Sequence, residues 1–269
     1  MLETNTTAGK GRLHVCKLWW TRWRDEQGNA PMIAAPLHLA GERIMLCPSG
    51  VALWPATHTL IVADLHFEKG SALAARGHLL PPYDTRETLM RLALAIRRHA
   101  PRRVIVLGDA LHDDRALGRM CLADMNALKR LLAPLQVLWI AGNHDPTPQS
   151  ELPGECLPEW SEGRLQFRHI GGTTRLGRNE VEFSGHYHPK ATLRTRVGGI
   201  TRPCFLAASQ RVILPAFGAF TGGLDVFDPA MSSLTRAAQR VFLLGRDRLH
   251  SASFEALRQA SRVTGSPAH

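Results

Sequence analysis

Three short apolar runs, each broken off by a residue that strands do not favour, constrain this chain most. Residues 59–63 (Thr-Leu-Ile-Val-Ala) stop at Asp64, and residues 103–107 (Arg-Val-Ile-Val-Leu) stop at Gly108-Asp109. Residues 137–141 (Val-Leu-Trp-Ile-Ala) stop at Gly142-Asn143-His144-Asp145. Runs of this length, rich in β-branched residues and without polar alternation, read as strands buried on both faces. Helical patterns lie between them. Asp84 is placed as an N-cap with Glu87 as its capping-box partner, and Leu89, Leu92, Ala93 and Ile96 form one apolar stripe that Pro101 closes. A second helix is expected from about Arg115 to Leu132, ended by Pro134. Strands alternating with helices predict an α/β fold.

Two alternating runs follow, 164–168 and 180–184, ending at His169 and at Gly185-His186-Tyr187-His188. Their apolar-polar alternation suits sheet covered on one side. Residues 204–217 and 223–227 read as further strands with glycine- and proline-marked turns, and about 233–244 and 252–262 as terminal helices.

The chain has 269 residues, enough for one large α/β domain, and 44% apolar with 21% charged residues is ordinary globular composition. No apolar run approaches the roughly 20 residues needed to span a bilayer, so a membrane protein is not expected. Five scattered cysteines without a C-x-x-C pair read as reduced thiols of a cytoplasmic protein. The net charge of +10 points to nucleic acid or another polyphosphate as partner, against the alternative of a generally basic surface. Residues 1–31 carry Lys17-Leu18-Trp19-Trp20-Thr21-Arg22-Trp23-Arg24, aromatics and cations of a kind that stack on bases. The same composition suits a disordered extension, the reading preferred here, with residues 32–269 as one domain.

The chemistry sits where strands end. Asp64-x-His66, Gly108-Asp109, Gly142-Asn143-His144-Asp145, His169 and Gly185-His186-x-His188 each follow a predicted strand, and the carboxyl ends of strands are where α/β sheets place ligands. Carboxylate, carboxamide and imidazole without thiolate suit Mn²⁺, Fe or Zn²⁺ in a reactive site better than structural zinc. The set exceeds the needs of one ion and would be used fully by two divalent ions sharing a carboxylate. Against this, Asp64, Asp109 and Asn143 are also types that cap or turn after strands.

The ordered series D-x-H, G-D, G-N-H-D, H, G-H-x-H resembles the calcineurin-like metallophosphoesterase superfamily. A narrower resemblance, over about residues 39–250, is to the bacterial ligase-associated DNA damage response endonucleases, the PdeM family. It rests on Ala63-Asp64-Leu65-His66-Phe67-Glu68-Lys69, Leu80-Pro81-Pro82-Tyr83-Asp84-Thr85, Leu107-Gly108-Asp109-Ala110-Leu111-His112-Asp113, Arg168-His169 and Gly185-His186-Tyr187-His188-Pro189. Pro215-Ala216-Phe217-Gly218-Ala219-Phe220-Thr221-Gly222-Gly223 completes it.

This resemblance implies a four-layer α-β-β-α sandwich and Mn²⁺-dependent hydrolysis of DNA phosphodiesters. It also implies partnership with an ATP-dependent DNA ligase, a large helicase and a β-lactamase-fold exonuclease. Carried over residue by residue, Asp64, His66 and His188 would hold one metal and Asp109 would bridge. Asn143, His169 and His186 would hold the other. His144 matches the catalytic histidine, with Asp145 placed to orient its ring. After His169 this chain has Ile170-Gly171-Gly172 where the subfamily has an acidic residue and proline. His112, Lys69 and Arg76 are candidate substrate contacts; the alternatives are a hydrogen-bond partner of a ligand for His112 and a solvated surface position for Lys69 and Arg76. The same core would serve a small phosphoester or cyclic nucleotide, and a non-catalytic repair scaffold is the alternative from another class.

Overall fold

A computed structural model describes residues 33–78, 83–146, 151–172, 175–195 and 198–262. The segment 1–31, with its tryptophan and arginine cluster, lies outside the described residues. In chain order the elements are β1 (Ala35–Leu39), β2 (Glu42–Leu46), β3 (Ala52–Trp54), β4 (Thr59–Val62), α1 (Lys69–Ala74), α2 (Asp84–His99) and β5 (Arg103–Leu107). There follow α3 (Ala116–Arg119), α4 (Leu122–Leu132), β6 (Gln136–Ile140), β7 (Glu155–Leu157), β8 (Trp160–Glu162), β9 (Leu165–Phe167) and β10 (Val181–Ser184). The last are β11 (Lys190–Thr195), β12 (Gly198–Ala208), β13 (Arg211–Ile213), α5 (Ser232–Thr235), β14 (Ala238–Leu244), β15 (Leu249–Ser253) and α6 (Phe254–Arg262).

Among the described residues one sheet runs β1-β2-β3-β4-β5-β6-β7 and a second runs β15-β14-β12-β13-β10-β9-β8, with β11 paired to β12. Strands β4 to β7 are parallel, as are β9, β10 and β13. The alternation of side chains along each strand builds three apolar layers. Leu60 and Val62 of β4 face outwards onto Leu89 and Leu92 of α2 and Leu128 of α4. Ile61 and Ala63 face inwards, onto a layer shared with Phe167, Phe183 and Phe205 of the second sheet. Leu206, Ile213, Val241 and Leu243 face out from the second sheet and are covered by Leu234 of α5 and Leu257 of α6. This is the expected four-layer α-β-β-α sandwich.

Several local expectations are corrected. Strands β1 to β3, which the sequence reading does not include, form an antiparallel meander on the edge of the first sheet. The helix expected over 115–132 is two, because Met120 and Cys121 take extended backbone between α3 and α4. Asp84 is not the N-cap of α2. Tyr83 holds that place, and the buried Asp84 carboxylate instead accepts the Gly70 N–H at 2.8 Å. Residues 233–244 are α5 and then β14, where Val241 and Leu243 face one apolar layer and Phe242 the other, the period of a strand. Residues 223–227 form no strand and make one isolated bridge, from Asp225 to Lys190. Strand β15 precedes the terminal helix, which begins at Phe254. No helix among the described residues is long and apolar enough to cross a membrane.

Candidate metal centre

The parallel strands of both sheets end on the same side, and the polar side chains that follow them meet there. Asp64 and His66 come from the end of β4, Asp109 from β5, Asn143 and His144 from β6, His169 from β9, and His186 and His188 from β10. The two sheets are tied across this edge by backbone: both Asp64 carboxylate oxygens accept the His186 N–H, at 3.1 and 3.0 Å. Asp109 accepts the His144 N–H through Oδ1 at 2.9 Å, leaving Oδ2 towards the imidazoles.

Five of these residues have left-handed backbone: Asp64 (φ 55°), His66 (45°), Asp109 (45°), His186 (70°) and His188 (46°). Non-glycine residues adopt this region at a cost, which is characteristic of functional sites. The motif glycines make room for such turns. Gly108 has φ +73°, and any Cβ there would overlap the His169 ring; a Cβ on Gly142 would overlap Asp109.

Among the described residues three groups of ligand atoms result, the atoms of each within 4.8 Å of one another: Asp64, His66 and His188; Asp109, His169 and His186; and His66, His112 and His144. Within them, nitrogens and oxygens face one another. His66 Nε2 lies 3.2 Å from His188 Nε2, and His169 Nε2 lies 3.2 Å from His186 Nδ1 and 2.8 Å from the Asn143 Oδ1. His169 Nδ1 is 3.0 Å from the Leu107 carbonyl, which only an N–H can satisfy. A neutral His169 therefore turns a lone pair from Nε2 towards Asn143, His186 and the Asp109 carboxylate 3.3 Å away. Lone pairs crowded like this call for a cation, and the hydrogen-bonded outer nitrogen is how metal-ligating histidines are oriented.

The electrostatics agree. Burial opposes charge on His169, yet the hydrogen bond and charge of Asp109, with Asp64 behind it, raise its pKa. Burial would raise Asp109, but the His169 hydrogen bond and charge and the His144 N–H bring it down to about 2. His66 is pushed down to about 2 by burial and, against the pull of Asp109, by His188, His144 and His112. Two buried carboxylates, Asp64 and Asp109, thus sit among imidazoles of which His66, His112 and His186 resist protons, an arrangement suited to divalent ions. The residues present fit a metal centre.

His144 is half-buried, with Nε2 4.0 Å from Asp109 Oδ2. Its Nδ1 is 2.8 Å from the His112 carbonyl, so that backbone oxygen orients the ring. This corrects the expected part of Asp145. The Asp145 carboxylate is buried and accepts the N–H groups of Leu111 (2.9 Å) and Gly142 (3.1 Å), bracing the loops after β5 and β6. Burial, helped by the Asp109 charge, raises its pKa to about 6.

The His112 ring stands beside the centre, with Nδ1 3.4 Å from His66 Nδ1 and its face stacked on His144. Burial lowers its pKa to about 4, and the His144, Lys69 and Arg76 charges add to this. Sequence reasoning missed the support beneath. Glu68, also left-handed at φ 65°, is buried and receives the Thr85 hydroxyl at 2.9 Å and the Ser71 hydroxyl at 2.6 Å. Nothing in the spacing of Glu68 and Thr85 marks them as partners, and the orienting carbonyls of Leu107 and His112 have no residue-type signature at all.

Carboxylates and imidazoles gathered at the strand ends of an α-β-β-α sandwich define a metal-dependent phosphoesterase. A family model described as calcineurin-like phosphoesterase matches residues 57–208, and the chain belongs to that family. Among solved structures it is similar to Pseudomonas putida nuclease MPE, with 29% identity and a TM-score of 0.64 over 82% of this chain and 100% of that one. It also matches Yfce, a phosphoesterase from E. coli, at 12% identity and a TM-score of 0.38, over 72% of this chain and 98% of that one. A protein of unknown function from Aquifex aeolicus matches at 14% identity and a TM-score of 0.34, over 52% of this chain and 81% of that one. No curated protein matches the chain.

Proposed function

We propose that this protein is a dinuclear metal-dependent phosphodiesterase that cuts DNA, as the resemblance to the ligase-associated endonucleases implies. The observation that carries the reading is the pair of ligand clusters joined at Asp109. Its Oδ2 lies 3.3 Å from His169 Nε2 in one cluster and 3.8 Å from His66 Nε2 in the other. Asp64, His66 and His188 are assigned to one ion, Asn143, His169 and His186 to the second, and Asp109 to both. When bound, divalent ions supply a strong nucleophile from water at neutral pH and neutralise charge on the phosphoryl oxygens; Mn²⁺ is the proposed metal.

The chain's own residues supply the rest. His144, with Nδ1–H held by the His112 carbonyl, keeps Nε2 free to carry a proton towards the leaving oxygen. The Leu107 carbonyl fixes the His169 ring. Asp145 acts at one remove, by holding the loops that carry Asp109 and Asn143. Lys69 and Arg76 are assigned to the phosphate backbone. The nuclease similar to this chain and the net charge of +10 support a polymeric substrate over a small one. A repair setting beside an ATP-dependent DNA ligase, a helicase and a β-lactamase-fold exonuclease belongs to the same proposal and rests on the motifs quoted above.

The test is hydrolysis by metal-stripped protein, with and without added Mn²⁺, of bis-p-nitrophenyl phosphate and of circular single-stranded DNA. Cutting of the closed circle establishes an endonuclease. Cleavage of the small diester with the circle intact moves the assignment to strand ends or nucleotides. Inertness towards both, with Mn²⁺ bound, favours a scaffold.

A further inference from the structure

Phe220 is an anomaly. It is 51% exposed, and its backbone is left-handed at φ 57°, so an aromatic ring is held in water by a conformation that itself costs free energy. Of the large apolar side chains exposed among the described residues, two are aromatic, Tyr83 and Phe220. The segment around Phe220 is pinned to the metal-ligand loops on both sides. Phe217 and Gly218 donate N–H bonds to the carbonyls of Ala63 (2.9 Å) and Asp64 (3.0 Å). Ala219 donates to the Thr88 hydroxyl of α2 at 2.9 Å, and Leu224 to the Tyr187 carbonyl at 3.3 Å. The ring is therefore carried by a segment fixed to the backbones of Asp64 and Tyr187, two residues beyond the Gly218 that bonds the Asp64 carbonyl.

Two lysines border the same loops. The Lys190 side chain runs past Gly223, where a Cβ would come within 2.9 Å of its Cε. Lys69 opens α1 three residues beyond His66, and Lys190 opens β11 two residues beyond His188. An exposed ring on a rigid support, bordered by cations beside a phosphoesterase centre, is how proteins hold a nucleic-acid strand: bases stack on the ring while phosphates follow the charge.

We propose that Phe220 is a base-stacking platform for the nucleic-acid strand entering the metal centre, with Lys69 and Lys190 carrying its flanking phosphates. This rests on the reading of the centre as a DNA phosphodiesterase, but it concerns how the strand is held rather than how it is cut.

The experiment measures binding. Metal-loaded protein is mixed with a short fluorescent single-stranded oligonucleotide, and anisotropy is read by stopped flow before any cutting. The same is done with an oligonucleotide of equal length that lacks bases throughout. Phe220→Ala is expected to weaken binding of the normal strand by about ten- to hundredfold, and Phe220→Trp to restore it. Because the abasic strand has nothing to stack, the alanine variant should lose little affinity for it. Equal affinity of wild type and Phe220→Ala for the normal strand overturns the proposal. So does an equal loss on both strands, or failure of the wild type to bind either. If base-dependent binding is found but no strand is cut under any metal, the stacking role stands and the phosphodiesterase reading falls.

Discussion

His66 and His188, 122 residues apart in sequence, point their Nε2 atoms at each other across 3.2 Å. Asp64 Oδ1 lies 3.5 Å from the same His188 nitrogen. Two neutral rings in this pose can share one proton at best, whereas a divalent ion would satisfy both rings and the carboxylate together. His188→Ala is therefore expected to release one of the two proposed ions, lowering metal content from about two per chain towards one. Elemental analysis after desalting measures this. Unchanged metal content would remove His188 from the ligand set.

His144 makes the opposite prediction. Its Nδ1 is engaged by the His112 carbonyl, and the role proposed for its Nε2 is to carry a proton rather than to hold a metal. His144→Ala should keep its metal while turnover of a phosphodiester falls about a hundredfold or more, as for a lost general acid. Loss of metal in parallel with activity would make His144 a ligand.

Asp145 is expected to matter to stability first. Replacing it with alanine strands the N–H groups of Leu111 and Gly142 in a buried place, at a cost of about 2–4 kcal/mol. Urea unfolding of the metal-free protein would show the loss. A variant of wild-type stability whose activity alone is reduced would return Asp145 to a direct part in catalysis.

His99, at the end of α2, ties stability to pH away from the metal centre. Burial, with Arg98 nearby, pushes its pKa from 6.5 down to about 4, and its Nε2 is buried without a hydrogen-bond partner. The folded protein thus holds the ring neutral where the unfolded chain protonates it. The stabilisation is complete above the unfolded pKa near 6.5 and is lost as pH falls from there towards 4. Between pH 7 and pH 5 the loss amounts to at most about 2 kcal/mol. His99→Gln should flatten the wild-type decline in unfolding free energy by that amount. Parallel curves for the two proteins would exclude the effect.

How far the fold was legible depended on what each segment buries. Residues 59–63, 103–107 and 137–141 are sealed by apolar layers on both faces, so their uninterrupted apolar runs marked β4, β5 and β6. The alternating stretch 238–244 has its faces divided between two cores, and beside helix-compatible neighbours its period was mistaken for a helix. The breaks at Met120-Cys121 and the edge strands β1 to β3 depend on tertiary contacts that local periodicity does not carry. The polar strand ends were legible because the residue types themselves are unusual there. What orients them was hidden, since Leu107 and His112 contribute carbonyl oxygens that any residue would have supplied.

The left-handed turns at Asp64, His66, Asp109, His186 and His188 restrict which mutations this centre can survive. Asp, Asn and His are the non-glycine types most tolerant of that backbone, and they are also oxygen and nitrogen donors for divalent ions. The two filters overlap, so the alphabet available at these positions is narrower than coordination chemistry alone would set. Cysteine at Asp64 or Asp109 would be resisted by its backbone before the affinity of the thiolate came into play. Redesign towards softer metals would therefore have to begin by rebuilding the turns, with the ligands exchanged only afterwards.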